Sequence, residues 1–182
     1  MLEALAACVA ESGIHGLTVQ AVADRSGWSR GHVRHYLGNK ADQLQALVAL
    51  YTERYASSLE QIVEHADLGR RRTAIFHELF GDTWQNSNAQ DDIVLDELTA
   101  YAASNPGSGV TLTPMYQRIR AAIEIALLEA FEPAEAGARA DIALALAYGL
   151  SSMIRIQAVG RHACAEHAAV VLGLPPEVAG TD

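Results

Sequence analysis

Apolar residues along this chain recur at spacings of three and four, the pattern of helices that each bury one stripe. Val19, Val22 and Ala23 form one stripe, and Val33 and Leu37 another. Leu44, Leu47, Val48, Tyr51 and Tyr55, continued by Ile62 and Val63, predict one long helix from about 41 to 65. Gly69 interrupts it, Arg70-Arg71-Arg72 reads as a solvated turn, and Ile75, Phe76, Leu79, Phe80 and Trp84 build the next apolar face. Asn86-Ser87-Asn88 reads as a loop, followed by an acidic-capped helix from about 90 to 104. Asn105-Pro106-Gly107-Ser108-Gly109 is the clearest linker, and Thr113-Pro114 then gives an N-cap with proline at the first helical position of a helix through about Phe131. Residues 135 to 159 are apolar on more than one face, and a short helix from about 163 to 172 follows. The fold class predicted is all-α.

Residues 17 to 40 are the most specific stretch. Thr18 can cap a helix by accepting from a freed backbone N–H, and Ser26-Gly27 ends that helix at a reversal for which Gly27 supplies positive φ. Ser29 then stands as the N-cap of a second helix running through about Tyr36. Two helices of about two turns at this separation make a helix-turn-helix. In the second, Val33 and Leu37 face the domain, while Arg30, His32, Arg34 and His35 face outward. Long donors beside an apolar anchor suit a major groove of double-stranded DNA. Gly31 inside this helix costs up to about 1 kcal/mol relative to Ala, which points to close approach of the backbone to something. Arg and His on an exposed helix are ordinarily just a solvated face; the ordered combination of caps, turn and cations favours DNA.

With these parts in place, residues 2 to 48 resemble the DNA-binding domain of the TetR family of one-component transcriptional regulators. The matching parts are Leu2, Leu5, Ala6 and Val9 with Gly13 and Gly16; the Thr18-capped helix; Ser26-Gly27-Trp28-Ser29; and Arg30 through Lys40. The resemblance implies an N-terminal three-helix DNA-binding domain (1–45) and a larger helical ligand-binding and dimerisation domain (46–182). It implies that Arg30, Gly31, His32 and His35 face base edges, and that Thr18, Ser29, Arg34, Tyr36 and Lys40 sit on phosphates. Lys40, at the start of a fourth helix, also stands beside freed N–H groups that favour an anion. Three departures stand out. Arg34 replaces a Tyr that hydrogen-bonds a phosphate, which keeps the donor but makes the contact charge-assisted. Leu37 replaces a Phe and Trp28 a smaller aliphatic, as if the two exchanged volume across one core, with Trp28 structural. No basic arm precedes the first helix, so either the start is short or the recognition helix acts alone.

Composition predicts a soluble, cytoplasmic protein: the chain has 182 residues with 50% hydrophobic content, and no apolar run approaches membrane-spanning length. Cys8 and Cys164 stand in no metal or disulfide pattern and read as small buried apolar residues. The net charge of −9 opposes general nucleic-acid binding. Its distribution reconciles the two, because in residues 1 to 45 Arg25, Arg30, Arg34 and Lys40 balance Glu3, Glu11, Asp24 and Asp42. An acidic remainder, repelled by the duplex, leaves only this neutral domain to dock.

Ile142, Leu146, Leu150, Met153 and Ile154, with Val170 on the next helix, predict a face shared with a twofold-related copy; a helix central to a monomeric bundle is the alternative. Candidates for a small-molecule effector pocket are His77, Phe80, Trp84, Tyr101, Tyr116 and Tyr148, each of which also suits ordinary core. No cofactor or metal is expected. The reading is a non-enzymatic regulator, a repressor that binds a palindromic operator as a homodimer and is released by its effector. The alternatives are a helical binding or interaction module with degraded DNA binding and, less favoured, a helical-bundle enzyme. For the enzyme there is no nucleophile elbow, phosphate loop, zinc spacing or paired Glu-x-x-His motif.

Overall fold

The computed structural model describes residues 1–81 and 89–180, and of residues 161–163, 176 and 180 the backbone only. Among the described residues every regular element is helical: α1 Leu2–Gly16, α2 Val19–Ser26, α3 Arg30–Leu37, α4 Lys40–Tyr51, a π turn Thr52–Ala56, α5 Ser57–His65, α6 Arg71–Phe80, α7 Ala89–Ser104, α8 Thr113–Leu127, α9 Pro133–Arg155, α10 Arg161–Val171 and a final 3₁₀ turn Pro176–Gly180. The chain divides into two compact units, one of residues 1–54 with 90–115 and one of residues 55–89 with 116–182.

The first unit is built on the apolar stripes of α1 to α4. Leu5, Ala6, Val9, Val22, Val33, Leu44 and Leu47 are fully buried together with Tyr51. Val94 and Leu98 of α7 are buried too, so this helix adds to the N-terminal core. Two polar clamps fix it. Gly13 breaks α1 with a φ of 67°, and the freed N–H of Ile14 donates to Glu97 Oε2 at 2.8 Å. At the other clamp the Asp91 carboxylate, itself buried, accepts from Arg54 and from the Tyr51 hydroxyl at 3.3 Å, and Arg54 also donates to Glu3 at 2.8 Å. Burial, reinforced by the Asp91 charge, pushes the Tyr51 phenol far above its ordinary pKa. The segment read as a linker is pinned at its end: Val110 and Leu112 are buried and Thr111 N–H donates to Gln45 at 3.2 Å.

The single helix expected from 41 to 65 is instead α4, a π turn and α5. Thr52 Oγ1 donates to the Val48 carbonyl at 2.7 Å, and the π turn inserts an extra residue that changes the helical phase. The boundary between the two units falls inside this turn.

In the second unit, α9 packs through a stripe of small residues: Ala136, Gly137, Ala140, Ala143 and Ala147 are buried. Gly137 lets the helix come close to α8, since a Cβ there would meet Glu124 Oε1 at 3.1 Å and Arg120 Nη2 at 3.3 Å. Arg120 ties the two helices by donating to Asp141 at 2.5 Å and to the Gly137 carbonyl at 3.3 Å. Arg118 grips Glu60 of α5 with two bonds of 2.7 and 2.6 Å, which holds that carboxyl below its usual pKa. On α9 the large apolar side chains lie away from the small stripe, and Ile142 and Met153 are exposed.

The Asp91 clamp makes a stability prediction. Asp91→Ala removes the carboxylate that accepts from the buried Tyr51 hydroxyl and from Arg54, and should cost about 2 kcal/mol, lowering the thermal midpoint by about 6 °C. Tyr51→Phe should cost about half as much. Calorimetry of the two variants checks the order, and equal effects would mean that Arg54 contributes nothing.

Candidate nucleic-acid interface

The helix-turn-helix forms as its caps require. Thr18 Oγ1 accepts from Ala21 N–H at 3.1 Å, opening α2, and Gly27, at a φ of 73°, closes it. Ser29 Oγ accepts from His32 N–H at 3.2 Å, opening α3. In α3, Val33 is fully buried and Leu37 nearly so, which fixes which way the helix faces. Arg30, Gly31, His32, Arg34, His35 and Tyr36 are all exposed, and so are Thr18, Ser29 and Lys40. The nine predicted contact residues therefore lie on the surface of one unit, at the starts of α2 and α4 and along α3. No acidic residue falls in α3, whose sequence is Arg-Gly-His-Val-Arg-His-Tyr-Leu.

The charges near this face are sorted by ion pairing. Arg25 is held by Glu11, so its charge is spent inside the domain. Arg30, Arg34 and Lys40 have no ion pair among the described residues. Arg34 and Lys40 flank an open groove of about 500 Å³ that is also lined by Leu17, Val19, Asn39 and Gln43. The start of α4 differs from the expectation of freed N–H groups. Asn39 Oδ1 accepts from Ala41 N–H at 2.8 Å and from Asp42 N–H at 3.2 Å, and Asp42 Oδ2 accepts from Asn39 N–H at 2.9 Å. This capping box satisfies the N–H groups of Asn39, Ala41 and Asp42, so an anion in the groove would meet chiefly the Lys40 and Arg34 side chains. Buried Gln43 donates to the Gly38 carbonyl at 3.2 Å and so holds the turn from α3 into α4. Neither Asn39 nor Gln43 was singled out from the sequence, although Asn39 followed three residues later by Asp42 is a legible cap.

Trp28 corrects an expectation. It does not exchange volume with Leu37 in a core: Leu37 is buried, whereas Trp28 is 48% exposed. Its indole packs on the His32 ring with centroids 5.1 Å apart, and His32 stacks in turn on Tyr36 at 5.8 Å and 14°. The four-residue spacing of positions 28, 32 and 36 carried this signal. Around Gly31 the protein is open, the nearest atom to an added Cβ being Ser29 Oγ at 3.9 Å.

The other predicted sites fall in less concentrated places. In the second unit the Tyr116 and Tyr148 rings meet edge to face at 6.2 Å, and Phe76 lies between His77 at 5.4 Å and Phe80 at 6.0 Å. Tyr101 belongs to the first unit, and Trp84 lies outside the described residues. Of the predicted shared face, Ile142 is 50%, Met153 46% and Val170 57% exposed, and Leu146, Leu150 and Ile154 are half-buried. Cys8 and Cys164 are free and buried. Among the described residues no three His, Cys, Asp or Glu side chains gather as metal ligands.

Comparison with known proteins agrees with this geometry. Residues 1–47 match the family model of bacterial regulatory proteins, tetR family. No curated protein is similar enough in sequence to match. Over nearly the whole chain the fold resembles a transcriptional regulator from Rhodococcus sp. Rha1, at a TM-score of 0.75 and 23% identity, covering 94% of this chain and 91% of that one. A TetR transcription regulator from Haloarcula marismortui ATCC 43049 aligns at a TM-score of 0.73 and 20% identity, covering 98% and 94% of the two chains. The SmeT–triclosan complex aligns at 0.71 and 18%, covering 93% and 88%. At identities this low the likeness is one of fold. Members of the matched family are DNA-binding transcription factors and not enzymes. Residues 1–47 thus form the N-terminal DNA-binding domain of the tetR family of bacterial regulatory proteins, on a chain whose all-helical fold is similar over nearly its whole length to those solved structures.

Proposed function

We propose that this protein is a ligand-responsive repressor that binds a palindromic DNA operator as a homodimer. The observation that carries the reading is the exposed, acid-free face of α3, with Arg30, Arg34 and Lys40 outside any described ion pair. Arg30, Gly31, His32 and His35 meet base edges in the major groove, and Thr18, Ser29, Arg34, Tyr36 and Lys40 position the domain on phosphates. Arg34 and Lys40, side by side in their groove, take adjacent backbone charge. Such a regulator works where the DNA is, in the cytoplasm.

The dimer is supported by the apolar side chains that α9 and α10 leave in water, Ile142, Met153 and Val170. A twofold copy covers them and presents two α3 helices to two half-sites. The effector sits among the helices of the second unit, near the Tyr116–Tyr148 pair and the Phe76 cluster, and acts by binding one of two conformations more tightly. That one neighbour in fold is a complex with triclosan supports a small molecule in this role.

Fluorescence anisotropy with the chain's own upstream DNA at two salt concentrations tests the reading. Nanomolar, sequence-dependent binding is expected. Absence of binding at low salt would overturn it in favour of an interaction module, and repeating the titration with candidate metabolites then finds the effector. Within that assay, Arg34→Ala should weaken binding to every sequence and reduce the slope of affinity against salt by about 1, while His32→Ala should relax preference at one base position. Equal loss on all sequences from both changes would contradict the division of roles.

Gly31→Ala should act in opposite directions on stability and binding. The helix gains about 0.5 to 1 kcal/mol because nothing in the protein opposes the methyl, while DNA affinity falls because the backbone no longer approaches the groove closely. Thermal melts and anisotropy on the same variant read both signs. Paired Ile142→Asp and Met153→Asp substitutions should halve the mass seen in sedimentation with helicity unchanged, and a dimer that persists would place the interface elsewhere.

A further inference from the structure

Trp28 lies just before the cap of α3, where a large apolar residue would be expected to turn inward and staple the helix start. Here Val33 is fully buried, whereas the indole keeps nearly half its surface in water. Its ring rests on His32, and His32 rests on Tyr36, which is 67% exposed. Ser29 Oγ lies 3.4 Å from His32 Nδ1 and also accepts the His32 backbone N–H, so the middle ring of the row is anchored from behind. Three flat rings thus run along one flank of the helix for about 12 Å, the rise of three to four base pairs.

At 100° per residue, Arg30 and Arg34 fall on the opposite flank, with Gly31 and His35 between the two. One flank is cationic and suits guanine edges and phosphates. The other is flat and aromatic, and its apolar member is the Trp28 indole. In a major groove the apolar feature that distinguishes base pairs is the thymine 5-methyl group, which packs against apolar side chains. An indole kept half in water next to a cationic helix face is placed to bury such a methyl.

We infer that Trp28 is a specificity-determining contact of this regulator: its indole, steadied by the His32 ring, packs on the 5-methyl group of a thymine in each operator half-site. The inference rests on the DNA-binding reading above and adds a contact to it. Trp28 selects among sequences without contributing charge, so its effect is independent of salt.

The test uses the full-length protein and a site selected from randomised DNA. Each thymine of that site is replaced in turn by deoxyuridine, which removes only the methyl group. The wild-type protein should lose about four-fold in affinity per half-site at one thymine, the worth of one buried methyl. Trp28→Ala should bind the thymine and uracil versions of that position equally, keep its other preferences, and retain its helicity. An unchanged thymine-to-uracil ratio in Trp28→Ala, or an equal loss of affinity on every sequence, overturns the inference. A second arm needs no variant. With 5-iodouracil at the methyl-sensitive position, irradiation of the wild-type complex should cross-link Trp28, and a cross-link at some other residue also overturns it. Failure of the wild-type protein to select any sequence is a different outcome, which refutes the regulator reading itself.

Discussion

An eight-residue helix does not hold together by itself in water, and everything proposed for this protein's surface depends on how α3 is held. The interaction that holds it is the burial of Val33, with Leu37 one turn on, where α3 packs on α2 and α4. Two side chains on one face fix the helix in rotation as well as in place. The opposite face is then displayed by default, and caps at Ser29 and Gly38 limit its fraying. Gln43, buried and bonded to the Gly38 carbonyl, sets where α4 departs and hence where Lys40 stands beside Arg34.

Electrostatics decides which of the displayed cations remain available. A chain of net charge −9 is a poor general partner for DNA, and even the N-terminal domain is only neutral. Pairing redistributes that neutrality. Glu11 takes Arg25, and Glu3 and Asp91 share Arg54, so these acidic side chains are paired away from α3, while Asp42 caps α4 at the turn that follows α3. What is left around α3 is a patch with excess positive charge on a molecule that repels the duplex elsewhere. Such a balance suppresses loose binding more than specific binding.

The same unit contains α7, held to α1 by Glu97 and to the end of α4 through Asp91. These directional polar bonds, made to a broken helix at Gly13 and at the edge of the π turn, add to the burial of Val94 and Leu98. Contacts of this kind have few alternative arrangements, so α7 has a defined place relative to α1 and α4. In the second unit the small-residue stripe of α9 packs inward and its large aliphatic side chains outward, an inversion of the usual pattern that leaves an apolar face needing cover.

Local chemistry was legible in the sequence alone. The helical period, the Thr18 and Ser29 caps, the turn at Gly27 and the outward cations of α3 follow from side chains acting within a few residues of themselves, and the structure has each of them. The resemblance of residues 2 to 48 likewise rested on a contiguous motif. Tertiary structure decided what depends on residues far apart in sequence. Spacing could not place Trp28, because an indole at a helix start can turn either way; the structure leaves it half in water against His32. Nor could it assign α7 to the N-terminal core, since Asp91 and Glu97 find Arg54 and Ile14 at separations of 37 and 83 residues. The π turn inside the expected long helix was hidden for a related reason, as one threonine hydroxyl bonding back to the carbonyl of Val48 leaves no mark on apolar periodicity. Sequence by itself thus determined the helical class, the caps and the faces of the short N-terminal helices; only the fold, where burial and charge pairing are settled between distant residues, decided where the long helix breaks and which faces remain exposed.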